Sequence, residues 1–305
     1  MNNTASVIKV RKVSKEFGAT VALNKISFNV TKGEIVGFVG ANGAGKTTTI
    51  STILGFIGVT SGVVELFGSK VLPPTAHKLH DRLGYAAGDM ELPPKLTGYQ
   101  YLSFVLHQSD GDHEERYADL CRRFKPQLEK KIGDLSRGNK QKIALIAAFV
   151  TDPELLILDE PTSGLDPVMQ DVFLDLVRET QTEGKTVFMS SHYLNEVADV
   201  CSRVILMRDG VIIEDVSAKE LLEKSGKFVR VETGYKATRP PKEVTDVKTE
   251  EANGITTLSF VFKGEAAEIQ RWIASVKQLQ DVEISEYNLE GAFKSMYKSD
   301  EEKTS

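Results

Sequence analysis

A glycine-rich segment carries the most specific chemistry in this sequence. It consists of Gly40, Ala41, Asn42, Gly43, Ala44, Gly45, Lys46 and Thr47, with Thr48 next to it. Glycines tolerate unusual dihedral angles and close approach, so consecutive backbone N–H groups can curl around phosphate oxygens. Lys46 is then expected to reach the β- and γ-phosphates, and the Thr47 hydroxyl to bind Mg²⁺. The alternative is a turn that binds nothing, and the position between a strand and a helix favours phosphate binding.

Two adjacent carboxylates, Asp159 and Glu160, follow the apolar run 155–158. A buried strand that ends here places them at the carboxyl edge of the sheet, where open α/β folds bind ligands. Asp159 is predicted to hold Mg²⁺ through water, and Glu160 to polarise a water molecule for in-line attack on the γ-phosphate. Taken alone, the pair is equally well explained as two solvated acids. Beside the glycine-rich segment, the catalytic interpretation is favoured.

Alternating strands and helices are expected to position these groups. Apolar strands are predicted at 34–40, 83–86, 155–158, 186–190 and 204–207, with helices at 48–54 and 166–183. This alternation predicts a mainly parallel sheet covered on both faces. Residues 8–13 and 21–30 mix apolar and polar side chains ahead of it. Helical spacing from 99 to about 128 and from 139 to 150 indicates a helical insertion at about 86–150.

A change in composition after Gly226 predicts a second domain. Strands are predicted at 228–232, 244–248, 255–262 and 282–284, and helices at 266–279 and 289–297. We therefore expect a domain over 1–226 and a small α+β domain over 227–305.

The composition excludes several classes of protein. The 305 residues contain 38 Lys and Arg against 43 Asp and Glu, a net charge of -5 that argues against nucleic acid or an anionic membrane surface as partner. No apolar run approaches the roughly 20 residues that cross a bilayer. No apolar stretch precedes the first basic residues, which predicts no secretory signal. Cys121 and Cys201 stand alone, which favours a reducing, cytosolic location.

Several further motifs resemble those of ABC transporter ATPase subunits. The segment 135–139 (LSRGN) is similar to their LSGGQ signature, and 161–166 (PTSGLD) resembles the sequence that follows their catalytic glutamate. His192 matches their switch histidine, and Phe17 the aromatic residue that stacks on adenine. Because the motifs run in family order from about residue 6 to 226, the chain is identified as a member of this family. The resemblance implies an α/β P-loop NTPase fold with an N-terminal antiparallel β part and a helical insertion.

The resemblance also implies a mechanism that needs two chains. Two ATP molecules lie in a head-to-tail dimer, and each site takes Ser136 and Gly138 from the opposite chain. The remaining site residues come from the chain that binds the nucleotide, namely Lys46, Thr47, Asp159, Glu160 and His192. The dimer, of two identical or two paralogous ATPases, would drive a separate membrane permease from the cytoplasmic face. The segment 83–106 is expected to carry motion to that permease. Residues 288–293 (NLEGAF) resemble the closing pattern of ABC-2 type exporter subunits, which favours export over import.

Each motif residue also has a purely structural interpretation. Ser136 is a good N-cap for the helix that follows, and Asp166 for the helix at Pro167. His192 alone is typical of a surface histidine, and Phe17 alone of a core aromatic. Two other functions fit parts of the pattern: a soluble ABC protein of translation or DNA repair, and a regulatory subunit without turnover. The absence of tandem ATPase units argues against the first, and the set of charged motif residues against the second.

The sequence departs from the family pattern at two places. The signature has Arg137 for glycine and Asn139 for glutamine, which we expect to tune the site without abolishing it, because the arginine stem can lie along the surface. Where the family has a glutamine after the strand 83–86, this chain has Gly88, which lacks a side chain. Asp89 is a suitable hard-cation ligand beside it. The alternative is that water takes the place of the glutamine.

Overall fold

The computed structural model describes residues 5–88, 92–192, 197, 199–236, 238–242, 244–252 and 254–286. The chain forms two compact units, Met1–Val216 and Ser217–Ser305. The division lies before the expected boundary at 226, because helix 218–225 belongs to the second unit. Within the described residues, no helix combines the length and the apolar composition needed to cross a membrane.

The first unit begins with an antiparallel sheet. Its strands are β1 (Ser6–Phe17), β2 (Thr20–Thr31), β4 (Ser61–Leu66) and β5 (Ser69–Lys70), in the order β2-β1-β4-β5. Strands β4 and β5 were not predicted. Their inward-facing residues are few, and Gly62 and Gly68 interrupt the alternation that marks a strand.

A six-stranded sheet forms the centre of the unit. Its strands are β3 (Ile35–Val39), β6 (Leu83–Ala86), β7 (Leu155–Asp159), β8 (Thr186–Ser191), β9 (Arg203–Arg208) and β10 (Val211–Ser217). The order is β10-β9-β3-β8-β7-β6, and β9, β3, β8, β7 and β6 pair in parallel. Every residue of β3, β7 and β8 is buried, as expected for a sheet covered on both faces.

A shared core joins the two sheets of this unit. The rings of Phe28, Phe38 and Phe188 pack with centroids 5.3–5.8 Å apart, and Ile50 and Ile53 of the first helix belong to the same cluster. Aromatic pairs at this separation contribute about 0.5–1.5 kcal/mol beyond the burial of their area. The core therefore holds the first helix, and the loop before it, in a fixed position on the sheet.

Five helices lie within the described residues of the first unit. They are α1 (Lys46–Ile53), α2 (Gly98–His107), α3 (Glu114–Phe124), α4 (Arg137–Val150) and α5 (Pro167–Thr182). Short 3₁₀ turns cover Ala76–Arg82 and Ile132–Asp134. The insertion is helical as predicted, but the pattern from 99 to 128 is two helices. The turn between them contains Gly111, whose φ of 112° is unfavourable for other residues and ends any helical run.

The second unit is a four-stranded antiparallel sheet with a helix on one face. It contains α6 (Ala218–Ser225), β11 (Lys227–Thr233), β12 (Val244–Ala252), β13 (Ile255–Phe262), α7 (Ala266–Ser275) and β14 (Leu279–Glu286), and its strand order is β12-β13-β11-β14. The Trp272 ring packs edge-on against Phe260, 5.1 Å between centroids. Helix α7 ends before the predicted residue 279, because Thr233 bonds the Lys277 carbonyl and draws the chain into β14. The helix predicted at 289–297 lies outside the described residues.

Candidate active site

The glycine-rich segment, called the glycine loop below (residues 40–47), joins β3 to α1. Gly43 has a φ of 85° and Gly45 a φ of 107°, both in the left-handed region that favours glycine. A Cβ atom on Gly45 would lie 2.8 Å from the Ala22 carbonyl oxygen. Both the turn and the packing against β2 therefore require glycine at 45. Helix α1 begins at Lys46, so its first N–H groups, which have no partner within the helix, face the loop.

Lys46 is buried, with 5% of its side chain exposed. Its Nζ donates to the carbonyl oxygens of Gly40 at 2.7 Å and Ala41 at 3.3 Å. The same nitrogen lies 3.4 Å from Glu160 Oε1. An ammonium group has three donors and no acceptor, so these oxygens hold it over the glycine loop and beside the predicted catalytic carboxylate.

A cleft of about 200 Å³ opens above the loop. It is lined by Ala22, Asn42, Gly43, Gly45, Lys46, Thr47, Thr48 and Glu160. The structure thus brings six of the nine residues predicted over 40–48 together with Glu160. Gly40, Ala41 and Ala44 belong to the loop but do not line this cleft. Ala44 is buried, and its N–H donates to the Ala41 oxygen at 3.1 Å. Ala22 was not predicted, since a small apolar residue at a strand start carries no chemical signal.

A buried serine holds the two acidic residues. Strands β7 and β8 pair Asp159 with Ser190. The Ser190 hydroxyl donates to Asp159 Oδ1 and accepts from the Glu160 N–H at 3.0 Å. Asp159 is only 5% exposed and Ser190 is fully buried. One hydroxyl therefore orients the carboxylate of one acid and the backbone of the next. Ser190 was not predicted, because the sequence does not show that β8 pairs with β7.

Glu160 has an unusual backbone conformation. Its φ is 47°, in the left-handed region that a residue with a long side chain seldom adopts. Such strain is concentrated at functional sites, where surrounding contacts hold it. His192 Nδ1 lies 3.5 Å from Glu160 Oε2, and Lys46 approaches the other carboxylate oxygen. Two potential cations thus flank this carboxylate. His192 is partly exposed, but its contact distinguishes it from an unrelated surface histidine.

Asp159 also influences a neighbouring phenol. Burial and the negative charge of Asp159 together raise the pKa of Tyr85 to about 12. The neutral phenol is therefore the form that the fold favours, and Tyr85 remains uncharged beside the carboxylate.

The side chains that could bind a metal ion in this region offer oxygen ligands. Thr47 lines the cleft and offers a hydroxyl, and Asp159 offers a buried carboxylate that Ser190 orients. Mg²⁺ prefers oxygen ligands and is commonly held by one or two protein groups together with substrate phosphates. The residues present therefore fit Mg²⁺.

Ser136 and Gly138 lie outside the cleft, at the start of α4. Ser136 caps the helix by accepting from the Asn139 N–H at 3.4 Å, so the structural interpretation of this serine is confirmed. A Cβ atom on Gly138 would lie 2.6 Å from the Gly164 oxygen. Asn139 Nδ2 donates to Ser136 Oγ at 3.2 Å, and its Oδ1 accepts from the Gln127 N–H. Asparagine therefore closes this turn although the family usually has glutamine.

Phe17 ends β1 and is 51% exposed, so the interpretation as a core aromatic is wrong. Lys15 Nζ lies 4.8 Å from its ring centroid. Phe17 does not line the cleft above the glycine loop. Asp166 caps α5 by accepting from the Met169 N–H at 3.0 Å, as predicted. Asp89 lies outside the described residues.

Comparison with known proteins agrees with this geometry. Residues 23–163 match the model of the family described as ABC transporter. The bacitracin transport ATP-binding protein of Enterococcus faecalis is 31% identical over 94% of this chain and 95% of its own length. A Nod factor export ATP-binding protein of Burkholderia lata is 32% identical over 71% of this chain and 72% of its own.

A solved structure shows the same fold. It is a dimeric ATP-binding cassette in a post-hydrolysis state with ADP and phosphate, with a TM-score of 0.64 and 24% identity. The match covers 69% of this chain and 98% of that structure. The relative with 31% identity matches nearly the full chain, and the family match includes the glycine loop and Glu160. The chain therefore belongs to the ABC transporter family, as one of its ATP-binding, ATP-hydrolysing subunits.

Proposed function

We propose that this chain hydrolyses ATP with Glu160 as the general base and that two copies, or this chain and a paralogue, share two ATP sites. The convergence of Lys46 and His192 on the two oxygens of Glu160, at 3.4 and 3.5 Å, carries this proposal. A carboxylate held between these groups at the edge of a phosphate-binding cleft is suited to orient a water molecule for in-line attack.

Each site residue has a separate role toward the bound nucleotide. When ATP binds, the Lys46 ammonium exchanges its hydrogen bonds to the loop carbonyl oxygens for hydrogen bonds to phosphate oxygens. The backbone N–H groups of the glycine loop bind the remaining phosphate oxygens. His192, next to Glu160, stabilises the charge that develops as the γ-phosphate leaves. When bound between Thr47 and Asp159, Mg²⁺ supplies positive charge at the phosphates. Phe17, at the exposed end of β1, stacks on the adenine.

Ser136 and Gly138 act on the other subunit's nucleotide in this proposal. They do not line the cleft above the glycine loop. Ser136 is exposed at the start of α4, where the dipole of the helix favours an anion such as the γ-phosphate. The dimeric state of the solved cassette supports a dimer for this chain, and we propose a head-to-tail arrangement of its two copies.

The partner in the membrane is a separate permease, and export is the proposed direction. The names of the relatives concern bacitracin transport and Nod factor export, which supports this choice. Tyr99 and Phe104 on α2 are 56% and 58% exposed, within the segment 83–106 that we assign to the permease contact. Exposed aromatic side chains are enriched at protein interfaces. In this proposal, that contact holds the chain on the cytoplasmic face of the membrane.

Substitution of the base tests the proposal. Glu160→Gln keeps the side-chain volume and is expected to bind ATP, to form an ATP-dependent dimer and to hydrolyse ATP at least about 100-fold more slowly, because general base catalysis contributes about 10²–10⁴-fold. Phosphate release and size-exclusion chromatography with ATP measure the two effects. Glu129→Gln, at an exposed position between α3 and α4, is the matched control and is expected to behave as wild type. Wild-type turnover by Glu160→Gln would refute the assignment of the base.

A further inference from the structure

The start of α4 packs tightly on the loop that follows Glu160, residues 161–166. The Gly138 backbone meets the Gly164 carbonyl so closely that a Cβ atom would lie 2.6 Å from it. One helical turn later, buried Gln141 donates from Nε2 to the Pro161 oxygen at 2.9 Å. Two residues of this loop, Pro161 and Gly164, thus touch the first turns of α4.

Arg137 adds a third contact. Its Nη2 donates to Ser163 Oγ at 2.8 Å. Its methylene stem covers Gly164: a Cβ atom there would lie 3.1 Å from Arg137 Cγ and 3.3 Å from Cδ. Gly164 has a φ of 81°, so the loop turns where the stem leaves no room for a side chain. Arg137 is the first residue of α4, and its φ is not in the left-handed region that favours glycine. An arginine can therefore take this position without backbone strain.

The contact reaches the backbone of the predicted catalytic residue, Glu160, through one turn of the chain. The Ser163 N–H donates to the Glu160 oxygen at 3.1 Å. Arg137, Ser163 and Glu160 therefore form a continuous chain of two hydrogen bonds from the signature segment 135–139 to the residue that acts on ATP.

We propose that Arg137 is a positioning residue that couples the two ATP sites of the dimer through Ser163. This inference depends on the proposed function, in which Glu160 acts on the nucleotide of its own chain while Ser136 and Gly138 contact the nucleotide of the opposite chain. A change of the 161–166 loop at one site is transmitted by the Arg137–Ser163 bond to the turn that contacts the other ATP. Because guanidinium is a planar, rigid donor, it transmits such a displacement better than a flexible ammonium.

Steady-state ATPase measurements on the full chain test this coupling. We expect the Hill coefficient for ATP to fall from about 2 toward about 1 in Arg137→Met, since a two-site enzyme cannot exceed its number of sites. We expect the same fall in Ser163→Ala, whereas Ser163→Thr, which keeps the hydroxyl acceptor, retains cooperativity. The affinity of the dilute monomer for ATP stays unchanged, because Arg137 does not line the nucleotide cleft. The double variant is expected to behave as either single variant, since both changes remove the Arg137–Ser163 bond.

Arg178→Met is the matched control, because it removes an arginine with a single surface bond, to Asp175 at 2.7 Å. It is expected to keep the wild-type Hill coefficient. A wild-type Hill coefficient of about 1, wild-type cooperativity in Arg137→Met, or additive effects in the double variant would overturn the coupling. Absence of ATPase activity in the wild type, or turnover by Glu160→Gln, would instead overturn the proposed function itself.

Discussion

Gly138→Ala is expected to damage the catalytic site without affecting the binding of ATP to the glycine loop. The added Cβ atom would lie 2.6 Å from the Gly164 carbonyl oxygen, whereas ordinary contacts begin at 3.4 Å. Both partners are backbone, so neither can rotate away. The start of α4 and the loop 161–166 must therefore separate by about 0.8 Å, and misplacement of about 1 Å costs about 100-fold in a catalytic site.

We expect kcat/KM for ATP to fall by about 10- to 100-fold in this variant, since the displacement approaches the 1 Å that costs about 100-fold. Overpacking costs about 1–3 kcal/mol of the free energy of unfolding, so the melting temperature falls by several degrees. Nucleotide binding by the monomer, measured with a fluorescent ATP analogue, stays at the wild-type level. Gly58→Ala is the matched control: a Cβ atom there meets nothing closer than Pro73 Cγ at 3.7 Å.

Two results would contradict this reasoning. Gly138→Ala with wild-type kcat/KM would show that the contact between α4 and the loop 161–166 is not needed at the distance observed. Equal losses in Gly138→Ala and Gly58→Ala would show that any added methyl group reduces activity, independent of the clash.

Three further outcomes are expected. Lys46→Met weakens ATP binding by about 10- to 100-fold, because a hydrogen bond to a charged group contributes about 1.5–3 kcal/mol; equilibrium titration measures this, and unchanged affinity would contradict it. Phe17→Ala weakens it by about 5- to 100-fold and Phe17→Trp does not, since aromatic stacking on a base contributes about 1–3 kcal/mol. Tyr85→Phe changes the free energy of unfolding only at high pH. Burial and the negative charge of Asp159 raise the Tyr85 pKa from 10.0 to about 12, so the unfolded chain loses this proton at a lower pH than the folded chain. In the wild type, the free energy of unfolding therefore falls between these two pH values. Urea melts across this pH range are expected to show a shallower fall in Tyr85→Phe, and an equal fall would refute the assignment.

Local chemistry explains why the glycine loop and the acidic pair were predictable. Strand β3, the loop and the start of α1 are consecutive in the chain, so spacing alone implied that Lys46 projects from a strand-to-helix turn. Asp159 likewise ends a strand whose other residues are all apolar, and Glu160 follows it. Such features require no knowledge of which strands are neighbours.

Contacts across strands could not be predicted in this way. Ser190 reaches Asp159 only because β7 and β8 pair with one particular register, and the strand order places them side by side. The Arg137–Ser163 bond depends on the packing of α4 against a loop 26 residues later. The position of an exposed arginine in a helix does not reveal its acceptor, because its long stem can reach many groups.

The missing glutamine at position 88 has a packing explanation of the same kind. A Cβ atom on Gly88 would lie 3.0 Å from the Asp159 carbonyl oxygen and 3.1 Å from Glu160 Cβ, closer than ordinary contact on both sides. Asp159 cannot move aside freely, because Ser190 holds both its carboxylate and the next N–H. A side chain at 88 would therefore press against Asp159 and Glu160, the two acids to which we assign roles in hydrolysis. The glycine is what allows the chain after β6 to pass directly against Asp159 and Glu160, so its lack of a side chain follows from the close packing of this site.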